Sequence, residues 1–199
     1  MKRKTYTLCT LLFLTFSNNL FSQDATADQT PPPKEFSVNK EQQLTDFIVI
    51  PCEGKTKEEL YKKIIEWISK TYNKPSEVIK AQIENDYVRF QGIETKGYCR
   101  NPMVLMCEDM RYEIEISVKE GKYKFDIIQL QSGYSDKYGR LSWSNLEIKK
   151  GWMHFKSNGE VRDQYKDTMP KIARSINNLN QSLHDYIYNQ NETAKSNNW

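Results

Sequence analysis

The chain has 199 residues, 28% of them charged and 38% hydrophobic, which fits one domain with a real core, and it contains no internal repeat or heptad array. Its 29 basic residues exceed its 26 acidic ones by the three that open the chain, Lys2, Arg3 and Lys4. The remainder is neutral, so a nucleic-acid partner, which needs an uncompensated basic surface, is not expected.

Those three residues form the positive start of a secretory signal peptide over residues 1–22. Tyr6 to Phe16 is mostly apolar, and Leu20-Phe21-Ser22 ends on a small residue, with cleavage expected after Ser22. A membrane anchor would need about 20 apolar residues, and Ser17, Asn18 and Asn19 interrupt the run too soon. Cys9 lies inside the run rather than behind it, which excludes a lipoprotein. The expected destination is periplasmic or secreted, with no transmembrane span after cleavage. Residues 23–43, with Pro31-Pro32-Pro33 and many polar side chains, read as a flexible leader.

Residues 47–50, Phe-Ile-Val-Ile, form a first strand stopped by Pro51. Thr56-Lys57-Glu58-Glu59 is a capping box that starts a helix running to about Asn73, with Leu60, Ile64, Trp67, Ile68 and Tyr72 on one face. Glu58/Lys62, Glu59/Lys63 and Glu66/Lys70 are acid-before-base pairs on its wet side. Ile79, Ala81 and Ile83 alternate, as do Val88 and Phe90. A two-residue turn at Asn85-Asp86 would then oppose Ile83 to Val88 and Ala81 to Phe90. In a second hairpin, Tyr112, Ile114, Ile116 and Val118 face Tyr123, Phe125 and Ile127 across a turn at Glu120-Gly121. Only the register opposing Ile116 to Phe125 buries both apolar sets. Residues 170–188 carry an apolar stripe of Ile172, Ile176, Leu179, Leu183, Tyr186 and Ile187, the mark of an amphipathic helix.

These elements predict a two-layer α+β domain over residues 44–190, in the order β-α-β-β-β-β-α, with an antiparallel sheet packed against two helices. Residues 132–167 form an insertion with a possible strand around 144–155, and residues 191–199 a disordered tail.

Several segments together resemble one family. They are the strand ending in Pro51, the Lys55-Thr56-Lys57-Glu58-Glu59-Leu60-Tyr61 helix entry, Trp67, the link 73–79 (NKPSEVI) and the hairpin 118–125 (VKEGKYKF). With the signal, they are similar to the exported domain-of-unknown-function family 4468 of Bacteroidota-type bacteria. The resemblance covers about residues 45–130 and the final helix, and implies a TBP-like fold. It implies no activity and no functional residue, and a fold shared with a DNA-binding protein says nothing about DNA. Residues 99–110 and 132–167 look peculiar to this chain.

Chemistry must come from the residues themselves. Cys52, Cys99 and Cys107 remain after signal cleavage in an oxidising compartment, and Cys99 with Cys107 is the candidate disulfide. It would clip loop 100–106, either as a plain staple or to stiffen a contact surface. His154 and His184 fall in no metal or triad spacing, and no phosphate loop, paired-cysteine zinc motif or serine elbow occurs, so no cofactor, metal or catalytic residue is assigned. Glu113, Glu115 and Asp126 should cluster on the outer sheet face, with Lys124 as counter-ion. Tyr138, Trp143 and Trp152 stand among Lys137, Arg140, Lys149 and Lys150 as a candidate binding surface, against the alternative of core packing. Asp167-Thr168-Met169 matches a short O-glycosylation acceptor, or Thr168 caps the last helix.

The leading expectation is a non-catalytic cell-envelope interaction domain whose partner is an unknown envelope protein or small ligand. The alternatives are a periplasmic sugar or peptide binder using the insertion aromatics, and an unrecognised hydrolase. The hydrolase requires His154 or His184 to meet a cysteine or carboxylate within hydrogen-bond reach.

Overall fold

Alternation of apolar and polar side chains along three long strands, interrupted by bulges, decides the architecture. The computed structural model describes residues 33–188. The expected signal peptide, the first part of the leader and the expected tail lie outside them.

The elements are β1 (Phe47–Pro51), α1 (Lys57–Thr71), α2 (Pro75–Val78), β2 (Ile79–Ile83), β3 (Tyr87–Arg100), β4 (Met106–Lys119), β5 (Lys122–Ser135), β6 (Leu141–Asn145) and α3 (Thr168–Tyr188). A short 3-10 turn, Asp163–Tyr165, precedes α3. The sheet is antiparallel in the order β1-β5-β4-β3-β2, and β6 also pairs with β5. Both long helices pack on one face, giving the expected two-layer α+β arrangement.

The β4–β5 pairing has the expected register, with Ile116 opposite Phe125 and Val118 opposite Tyr123. All four side chains are buried, as are Val88 and Phe90 on β3. At α1, the Thr56 hydroxyl accepts from Glu59 N–H at 3.1 Å and the Glu59 carboxylate accepts from Thr56 N–H at 3.1 Å, which completes the capping box. Trp67 is the central contact of the helix layer. Its ring meets Phe90 edge-on at 5.7 Å and its Nε1–H donates to the Ser182 hydroxyl of α3 at 3.2 Å.

Five expectations need correction. In the first hairpin Ile83 pairs with Tyr87 and Gln82 with Val88, because Asn85 takes a positive φ of 58° in a three-residue turn. Ile83 is left exposed, and a bulge between Ile79 and Ala81 returns Ile79 to Phe90. The helix ion pairs also differ: Glu59 serves the cap, Glu66 pairs with Lys63, and Lys70 lies over the Tyr186 ring. On the outer sheet face Arg89, not Lys124, neutralises Glu115 at 2.8 Å and reaches Glu113 at 3.8 Å, while Lys124 takes Asp126. The leader is docked from Pro33 onward. Phe36 is buried against Phe125, and Asn177 of α3 bonds both its N–H and its carbonyl. Finally, the insertion's strand is β6, which overlaps only the first two of residues 144–155; beyond it Leu146, Ile148 and Phe155 fill core positions without a strand.

Gly92 of β3 pairs with Tyr112 of β4, whose ring crosses it to hydrogen-bond the Tyr72 hydroxyl at 2.8 Å. A Cβ at residue 92 would overlap that ring. Gly92→Ala is therefore expected to lower the unfolding free energy by about 1–3 kcal/mol in urea titration. Unchanged stability would contradict this packing.

Candidate functional site

Strands β3 and β4 run 14 residues each, longer than their contact with the helices, and their far end is built differently from the rest. A bulge between Glu94 and Tyr98 puts Lys96 at φ 55°, with its N–H held by the Asp109 carboxylate at 2.9 Å. Lys171 of α3 donates to the Lys96 carbonyl at 2.6 Å. Beyond the bulge Cys99 and Cys107 are opposite each other and form a disulfide, S–S 2.07 Å. Cys52 is a free, buried thiol whose pKa burial pushes up. Arg100 pairs with Glu108 at 3.1 Å, the buried Thr168 hydroxyl donates to the Cys99 carbonyl, and Asn101 N–H donates to the Gln164 carbonyl at 2.8 Å. The base of this hairpin is thus fixed to α3 and to the 3-10 turn.

Its tip is not covered. Met103 is 95% exposed, Val104 73%, Leu105 65% and Met106 47%. Four consecutive apolar side chains in water are what a folded surface ordinarily avoids. A second tip, residues 136–140 between β5 and β6, leaves at the same end, because Met110 pairs with Ser132 while Ser135 pairs with Leu141. There the Asp136 carboxylate accepts from the N–H groups of Tyr138 and Arg140 at 2.8 and 2.9 Å, which with the Arg140 side chain holds its pKa below the usual value. Tyr134, Tyr138 and Leu141 are exposed around it, with Lys137 4.9 Å and Arg140 5.5 Å from the Tyr138 ring centre.

The three aromatics expected to form a binding surface stand apart. Tyr138 belongs to the second tip. Trp143 lies opposite Gly133, with the Arg111 guanidinium 4.4 Å from its ring. Trp152 sits on a loop after β6 beside Lys149 at 5.2 Å. Two clefts are lined by other residues. One of about 420 Å³, at the gap on the β5 edge between β1 and β6, contains the mutually paired Gln129/Asn145 and Glu147/Lys149. Another of about 340 Å³ lies between β3 and α3, where Ser175 donates to Glu94, whose carboxyl burial pushes up.

Neither histidine meets a cysteine or carboxylate within hydrogen-bond reach among the described residues. His184 is 3.9 Å from Asp185 and stacks on Tyr188. His154 is fully buried between Tyr98, whose hydroxyl is 3.3 Å from Nε2, and the ring of Tyr165. The arrangement the hydrolase reading required is therefore not formed by either one. Thr168 is buried and bonded, so it is not an accessible glycan acceptor in the folded chain; Asp167, whose carbonyl accepts from Lys171 N–H at 3.2 Å, occupies the helix cap.

The fold is thus a TBP-like two-layer α+β domain. Residues 48–132 match the family model described as domain of unknown function (DUF4468) with TBP-like fold, the family that the helix entry and second hairpin resemble. A TBP-like protein from Parabacteroides distasonis is similar in structure at 15% identity, with a TM-score of 0.50 over 72% of this chain and 91% of that one. A DUF4468 family protein from Bacteroides ovatus has 10% identity and a TM-score of 0.49 over 75% and 86%. At 15% identity the first likeness is one of fold. No curated protein matches the chain. The matched segment includes the stapled hairpin and ends at residue 132, where the insertion begins.

Burial lowers the His154 pKa from 6.5 to about 4; Nδ1 has no partner in good geometry, and the nearby Glu147 backbone offsets only part of the effect. The unfolded chain takes up this proton as pH falls through 6.5, whereas the folded chain does so only near 4. Stability from this group is full above 6.5 and is lost toward 4, about 2 kcal/mol between about pH 7 and about pH 5. His154→Gln is expected to flatten that part of the stability profile in denaturant titrations; an unchanged slope would contradict the burial effect.

Proposed function

We propose that the protein is an exported, non-catalytic interaction domain of the cell envelope, and that its contact surface is the hairpin end of the sheet. The observation that carries this reading is the exposed run Met103–Met106 on a hairpin anchored at its base. Apolar surface removed from water stabilises a complex by roughly 25 cal/mol per Å². A loop already held by a disulfide and by α3 loses little further freedom on binding, so more of that gain is realised as affinity.

Export supports the same reading. The Lys2-Arg3-Lys4 start, the apolar run and Ser22 fit a signal peptide, and the Cys99–Cys107 bond suits an oxidising compartment. The aromatics Tyr138, Trp143 and Trp152 contribute less as a group, since they are engaged by different cations at separate places.

Met103→Ser, Val104→Ser and Leu105→Ser together change residues that are mostly exposed, so stability should stay within about 0.5 kcal/mol of the parent. The triple variant is expected to lose most of the parent's retention in the envelope fraction. Equal retention of parent and variant would remove this end as the contact surface.

A further inference from the structure

We infer that the partner of this end is a lipid bilayer surface with anionic headgroups, into which the Met103–Met106 tip inserts. The inference rests on the contact surface proposed above and names what that surface touches.

Shape is the first argument. Two tips from separate hairpins project at one end, and the apolar one is convex. A protein partner would need a pocket shaped to it, whereas the fluid headgroup and acyl boundary closes around any protrusion.

The chemistry of the two tips is the second. The Met103–Met106 tip presents exposed apolar side chains beside the second tip. The second tip supplies exposed Tyr134 and Tyr138 with Lys137 and Arg140, the mixture of amphipathic rings and cations that settles at headgroup level.

Charge and length agree. Arg140 is paired with Asp136, but Lys137 has no carboxylate in salt-bridge reach among the described residues and is available to an anionic headgroup. From Cys107 to Val104 the chain extends at most about 10 Å, which matches insertion of about 5–10 Å into the boundary and is far short of a span. No helix among the described residues is long and apolar enough to cross a membrane.

The test is co-sedimentation of the chain beginning at Gln23, which omits the apolar run near the N-terminus, with vesicles of phosphatidylethanolamine and phosphatidylglycerol, and separately of phosphatidylcholine. The parent should pellet with the first and weakly with the second. The triple serine variant and Val104→Lys, each verified as folded by circular dichroism, should bind at least ten-fold less. Lys137→Glu should weaken anionic binding about five-fold and leave the phosphatidylcholine value unchanged. Failure of the parent to pellet, or equal binding by the tip variants, would overturn the bilayer. If vesicles fail while the tip variants lose a co-purifying protein or a dimer of this chain, the bilayer inference falls and the contact surface stands. If the tip variants lose nothing at all, both fall.

Discussion

Ile116 opposite Phe125, and Val118 opposite Tyr123, bring two alternating apolar sets to the same face of the sheet. A slip of one residue would turn one set into water, so this pairing has a single acceptable register. Everything else is arranged around it. The apolar face it creates receives Trp67 from α1 and Ile176 and Leu183 from α3. The opposite face is left to charges, which Arg89 and Lys124 balance against Glu113, Glu115 and Asp126.

The same ladder also produces the working end. α3 begins at this end, where Thr168 and Lys171 meet Cys99 and Lys96, so its cover stops at the disulfide and the loop beyond projects past it. The overhanging end is closed by other means: the Cys99–Cys107 bond, Lys171 and Thr168 reaching from α3, and the insertion's His154 between Tyr98 and Tyr165. Each holds the base of the hairpin, and none reaches residues Met103–Met106. A rigid base with an uncovered apolar tip is an unfavourable combination for a monomer in water, and it is the feature that sets this end apart from the ordinary mixed-charge surface elsewhere.

Local signals were readable wherever the physics is local. The capping box at Thr56 and Glu59, the stripe of α3 and the β4–β5 register all follow from spacing within a few residues or from one shared face. Contacts between distant segments were not readable. Phe36 is a lone aromatic in a polar leader, and its partners Phe125 and Asn177 are far along the chain. Arg89 reaches Glu115 only through the β3–β4 pairing, which required the long hairpin to be known. The first hairpin departs from the two-residue turn that alternation suggests because Asn85 alone enters the positive-φ region, which lengthens the turn by one residue. For the candidate site, the cysteine pair and its clipped loop were legible, and the apolar run lies in plain view between Pro102 and Cys107. What spacing does not contain is the overhang that leaves those side chains uncovered. The aromatics drew attention by composition, yet topology separates them.

The central claim is that the tip beyond the disulfide is the part of the molecule that meets its partner. Its most direct measurement is site-specific photo-crosslinking in cells producing the whole chain, with a benzophenone side chain at position 104 and, as reference, at position 119 at the opposite end of β4. The account requires crosslinks to an envelope partner, lipid or protein, from position 104 and none from position 119. Equal labelling from both ends, or none from position 104, would contradict it.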